Sequence, residues 1–252
     1  MLLQLDSSST SDKSENFTTS FSNLVLDKEY DYEIGLIQLS MNYSYPNVSS
    51  GNGNNTIEIT DNGTFTTLTV PDGNYSVDAL NTFIQGKMKS LNIGHSVSNG
   101  VDVYALAITP NFNTGLVDIS ITGTFQLRMT SSTFHNLLGY ASTTLTATNS
   151  PHSSTKAVDL TNGITSINVR CSIAQGTYDS KGNNSDILYA FTPTVSPYSY
   201  ISERPNNPIY LDINTHNQIP RINMRITDNL NRDLDLRNEP VNYLLHLRRK
   251  ER

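Results

Sequence analysis

Tryptophan is absent from the 252 residues, and cysteine occurs once, at Cys171. A single thiol excludes any disulfide framework within the chain. The surrounding INVRCSI puts Cys171 in phase with Ile167, Val169 and Ile173. That phase reads as a small buried hydrophobe rather than a nucleophile. Charged residues make up only 16% of the chain, and the formal net charge is −6. The charged share of a globular chain is normally about a quarter, and a duplex-coating protein carries the opposite sign. No apolar run approaches the length needed to span a bilayer. The opening MLLQLDSSST lacks the basic n-region of a secretory signal. The expectation is a soluble protein made in a reducing compartment and not secreted. In that setting the sequons at Asn16 and Asn62 carry little weight.

What fills the space left by charge is Ser, Thr and Asn. These residues compete with helix interiors and suit turns, strands and exposed sheet faces. Apolar residues alternate over many short runs. Tyr32–Tyr43 is apolar on both faces, which predicts a central strand covered on two sides. TIEIT and TFTTLTV flank Asp61-Asn62-Gly63, a hairpin turn. Further strands are predicted within 101–109, 116–122, 124–130, 164–174, 186–192 and 208–214. The period changes only after Ser76, an N-cap with Asp78 in the first turn. There Leu80, Phe83, Ile84, Met88 and Leu91 fall at helical spacing. Ser131–Gly139 reads as a short helix closed by glycine. Arg221–Lys250 reads as two alternating strands joined in a hairpin by a polar loop. The prediction is an all-β protein, a single jelly-roll β-sandwich with one inserted α-helix. Residues 1–20, polar and Ser-rich, are expected to be a flexible N-terminal arm. The sandwich is expected over 21–248, and a basic tail over 249–252.

The search for chemistry finds little. His95, His135, His152, His216 and His246 show no metal-ligand spacing, and neither HExxH nor Cys-x-x-Cys occurs. There is no GxSxG elbow and no Gly-rich phosphate loop. The prediction is no catalytic residue, no metal and no cofactor. Asp228, Asp233, Asp235 and Glu239 lie in one loop without the calcium-loop pattern, which favours bonds to local backbone. The 192–210 stretch interleaves three tyrosines with four prolines. It reads as a rigid extended crossing, or as a contact surface in which Tyr supplies area at low entropic cost. The tail Arg248-Arg249-Lys250-Glu251-Arg252 fits either a solvated end or a grip on phosphate or an acidic neighbour. Candidate partner-contact residues are therefore Tyr198, Tyr200, Arg248, Arg249, Lys250 and Arg252.

Ile226-Thr-Asp, then Arg232, then Asp235-Leu, and finally Val241-Asn-Tyr-Leu-Leu-His-Leu-Arg248 form a familiar series. The series resembles a C-terminal signature of minor capsid, or penton, proteins of the Polinton/Maverick, adintovirus and virophage lineage. Tyr32-Glu-Ile-Gly-Leu-Ile-Gln-Leu39, Pro71-Asp-Gly-Asn-Tyr75, Leu137-Leu-Gly-Tyr140, Ile167-Asn-Val-Arg-Cys171 and Pro208-Ile-Tyr210 continue the likeness in order. The resemblance implies a single jelly roll forming homopentamers at the five-fold vertices of an icosahedral shell. It also implies contact with the major capsid protein of the same particle. The location would be the virion, assembled in the host nucleus or cytoplasm. Nucleic-acid contact would be confined to the basic tail. Two alternatives are a single jelly-roll major capsid protein and a carbohydrate- or receptor-binding jelly-roll module. The absence of tryptophan counts against the latter.

Overall fold

The computed structural model describes residues 1–178, 182–215 and 217–250. The chain divides into two compact units. The first joins Met1–Tyr45 to Ile164–Arg252, and the second is Pro46–Gly163.

Eight strands of the first unit, in chain order, are β1 (Leu2–Asp6), β2 (Asn16–Ser20), β3 (Tyr32–Asn42), β4 (Ile167–Cys171), β5 (Ile187–Phe191), β6 (Tyr210–Ile213), β7 (Arg221–Asp228) and β8 (Asn242–Arg249). One sheet runs β1-β8-β3-β6 and the other β5-β4-β7-β2, all antiparallel. The first strand thus pairs the last, the second the seventh, the third the sixth and the fourth the fifth. This is the wiring of a jelly roll. The expected fold class holds, and the strand register itself establishes it. Two shorter strands extend the first sheet. Tyr200–Glu203 pairs the far half of β3, and Ala174–Gln175 pairs β6.

The core lies between these sheets. Leu5, Leu36, Met41 and Leu245 from one sheet meet Phe17, Val169, Cys171 and Met224 from the other, all essentially without exposure. Burying each such side chain stabilises the fold by about 1.5–3 kcal/mol. Alternation sets this pattern. In β4, Ile167, Val169 and Cys171 point inward while Arg170 points out.

Three expectations need correction. Residues 1–20 are not a flexible arm, because they hold β1 and β2. Leu3, Leu5 and Phe17 are buried, and the Met1 ammonium donates to the Leu247 carbonyl at 2.6 Å. A few apolar residues at period two suffice here because the partner strands are already apolar. The Arg221–Lys250 segment contains the two expected strands, but they do not form a hairpin. β7 lies in one sheet and β8 in the other, so residues 229–241 cross between sheets. A period-two pattern fixes which face is buried, not which strand is the neighbour. The third concerns the phase of β3, whose large apolar residues do not split between two faces. Gln38 pairs Leu244 while Leu36 pairs Leu245, leaving Ile37 as an extra, bulged residue. The bulge resets the phase, so Ile34, Leu36, Leu39 and Met41 all face one core.

The insertion between β3 and β4 is more than a helix, which also corrects the expectation of one sandwich over 21–248. The second unit has its own core. One sheet orders Thr144–Thr146, Gln126–Arg128, Thr56–Thr60 and Thr66–Thr69. Another orders His152–Ser153, Leu116–Ile121 and Leu106–Asn111. The expected helix is α1, Val77–Leu91. Ser76 Oγ accepts from the Ala79 amide at 3.1 Å, and Leu80, Ile84 and Met88 are buried. The helix also seals a sheet edge. Asn81 Oδ1 accepts from the Ile108 amide at 2.8 Å, and Gln85 Nε2 donates to the Leu106 carbonyl at 2.9 Å. An open edge would otherwise offer these groups to another chain. The short helix is Phe134–Leu137.

Candidate functional site

The end of β3 gathers tyrosines. Tyr43 and Tyr45 stack with ring centroids 4.4 Å apart. The Tyr43 amide donates to the Ser199 carbonyl, and the Tyr198 amide donates to the Tyr43 carbonyl, both at 2.9 Å. A turn between these bonds holds Tyr198 at φ +66°, a left-handed conformation unfavourable for a side chain of this size. Tyr200 follows, paired with Asn42 of β3. Burial raises the Tyr45 hydroxyl pKa, and its bond to Tyr43 raises it further. Tyr198 and Tyr200 are 63% and 61% exposed. The turn therefore leaves two large aromatic side chains mostly in water.

The basic end of the chain is tied down. Arg248 Nε donates to Glu33 Oε1 at 2.6 Å, and its guanidinium lies 3.6 Å from the Tyr210 ring centroid. Arg249 lies over Tyr30 at 3.9 Å and is 3.7 Å from Asp27. Lys250 Nζ donates to both Asp212 carboxylate oxygens, at 2.7 and 2.9 Å. Each of these cations has an acidic or aromatic partner in the same unit. The tyrosine pair and the basic residues are two separate groups in the sequence. Arg252 and His216 lie outside the described residues.

His246 shares the Arg248 neighbourhood. The Tyr210 hydroxyl is 2.8 Å from its Nδ1. Desolvation holds the imidazole below its usual pKa, helped by the Met1 ammonium and Arg248. Cys171 is fully buried and its thiol is pushed up to about 11, again by desolvation, so it is packed as an inert side chain.

Asp228, read from sequence as loop structure, has that role. Its buried carboxylate accepts from the Leu230 amide at 2.8 Å, the Arg232 amide at 2.9 Å and Arg232 Nε at 2.5 Å. Asp233 meets Arg225 at 2.7 Å, and Asp235 accepts from the Arg237 amide at 2.9 Å. Among the described residues no group of three His, Cys, Asp or Glu side chains could hold a metal ion. No helix among them is long and apolar enough to cross a membrane. Sequence reasoning missed the Tyr43–Tyr45 stack and the Arg248–Tyr210 stack. The first was signalled by the two-residue spacing of Tyr43 and Tyr45. The second had no local signal, because its residues are distant in sequence.

No protein-family model matches the chain, and no curated protein matches it. Among solved structures, the crystal structure of selenomethionine-labelled mavirus penton protein aligns with a TM-score of 0.48 and 13% identity, covering 99% of both chains. A chain of the Sputnik virophage cryo-EM structure aligns with a TM-score of 0.40 and 12% identity, covering 98% of this chain and 97% of that one. The jelly-roll assignment stands on the strand register rather than on these alignments.

Proposed function

We propose that the chain is a structural virion protein, a penton-like minor capsid protein. It assembles with copies of itself at the vertices of an icosahedral shell and meets the major capsid protein of the same particle. The observation that carries the reading is the β1-β8-β3-β6 and β5-β4-β7-β2 wiring. This is the jelly roll that viral shells use repeatedly. The motifs that resemble the penton lineage fall largely on its β3, β4, β6, β7 and β8 strands. A closed ring needs two different complementary patches on each subunit. The fixed pair Tyr198 and Tyr200 is the candidate for one of them. Net charge of −6 and the internal partners of Arg248, Arg249 and Lys250 argue against a role in coating nucleic acid.

Sedimentation velocity and negative-stain microscopy of the purified protein, alone and mixed with the lineage's major capsid protein, test this. Rings or vertex-decorated shells are expected. The Tyr198→Ser/Tyr200→Ser double variant should keep its melting temperature and lose assembly. A strict monomer at high concentration in both settings overturns the proposal.

A further inference from the structure

We propose that the first unit carries a binding groove for a neutral oligosaccharide on the outer face of the β5-β4-β7-β2 sheet, a role separate from shell building. The groove measures about 920 Å³, in the range of small-molecule sites. Its floor is the outward side of β4, where Asn168 and Arg170 stand opposite the buried Ile167, Val169 and Cys171. Its rim is formed by the residues after β4 and by the turn after β7.

The lining is polar, and its polar groups are half used. Asn168 Nδ2 donates to the Asp228 carbonyl at 3.0 Å, and Gln175 Nε2 donates to the Ile213 carbonyl at 3.2 Å. Each amide is thereby fixed, with its oxygen left without a partner among the described residues. Asn229 is held the other way round. Its Oδ1 accepts from the Thr165 amide at 3.0 Å, which leaves its NH2 without a partner among the described residues. Arg170 Nη1 donates to Asp186 Oδ1 at 2.5 Å and its Nε to Thr227 Oγ1 at 3.1 Å, and no bond to its Nη2 or to Asp186 Oδ2 is made among the described residues. The floor thus offers acceptors, donors and an ion pair whose charges cancel.

That combination selects the ligand. An anion finds its one described cation already neutralised, and an apolar ligand would strand several polar groups. Vicinal hydroxyls of a sugar each donate and accept, so they match this alternation. Sugar rings also need an apolar platform for their C–H faces. The sequence has no tryptophan, but Tyr178 and Leu230 line the groove at 71% and 63% exposure.

The test is an array of neutral and sialylated oligosaccharides, followed by calorimetric titration of the best neutral binder. At least one neutral oligosaccharide should bind at millimolar concentration or tighter. Tyr178→Ala and Gln175→Ala should each weaken binding about tenfold while leaving the melting temperature and ring assembly unchanged. Absence of any bound oligosaccharide, a preference for sialylated ones, or binding indifferent to both substitutions overturns the proposal. None of these outcomes bears on the shell role, which is read by sedimentation.

Discussion

Phe17 of β2 and Tyr243 of β8 meet across the two sheets with ring centroids 5.9 Å apart, and the fully buried Tyr243 hydroxyl has no hydrogen-bond partner among the described residues. An unsatisfied buried hydroxyl costs roughly 1–3 kcal/mol. Its desolvation raises the phenol pKa well above the usual value, so the group stays neutral. Tyr243→Phe removes the hydroxyl and keeps the ring contact. The expected result is a gain of about 1 kcal/mol, read by chemical denaturation. A loss of that size would mean the hydroxyl has a partner after all.

Gly139 has φ +75°, and a Cβ added there would collide with the Lys156 carbonyl oxygen. Its own carbonyl accepts from the Thr155 and Lys156 amides. Backbone, unlike a flexible side chain, cannot step aside without breaking those bonds. Gly139→Ala is therefore expected to destabilise the second unit by about 3 kcal/mol or more. Gly123 also has positive φ, but its Cβ would meet open space. Gly123→Ala should cost only about 1 kcal/mol. Thermal melts of the two variants make the comparison.

The two aspartates of the β7–β8 crossing should behave differently. Asp228 is buried with three donors on its carboxylate, so Asp228→Ala removes all three bonds and should cost about 3 kcal/mol. Asp233 pairs Arg225 at the surface, and Asp233→Ala should cost under about 1 kcal/mol. Equal losses in denaturant titrations would refute the contrast.

Stability should also depend on His246. Its folded-state pKa is lowered by desolvation and by the Met1 ammonium and Arg248, while the Tyr210 hydroxyl faces its Nδ1. A base that binds its proton less well when folded favours the unfolded chain in acid. The contribution is fully present above the unfolded-state pKa of about 6.5 and is lost as pH falls below it. His246→Asn should flatten the fall in stability between about pH 7 and pH 5. An unchanged slope would place the effect elsewhere.

Local patterns were legible in the sequence wherever one element decided them. Ser76 with Leu80, Ile84 and Met88 marks α1 without reference to anything else. The inward residues of β4, β7 and β8 follow from alternation alone. What failed needed information from another strand. The bulge at Ile37 exists only relative to β8, and the separation of β7 from β8 is a matter of partners. Leu3, Leu5 and Phe17 sit in Ser- and Thr-rich sequence whose order comes from strands far along the chain. The candidate contact residues were legible as types, but not their settings. Nothing near Arg248 announces Glu33 or Tyr210, and the groove draws on residues scattered from 168 to 231.

The pairing of β1 with β8 sets the order of events during synthesis. β1 leaves the ribosome long before β8, its sheet neighbour among the described residues, and β2 waits in the same way for β7. The 46–163 insertion is complete long before either can pair, and it carries its own core. It is therefore placed to fold first, as a nascent domain, while the early strands of the jelly roll remain single. Those unpaired N-terminal strands are the segments a chaperone would have most reason to shelter.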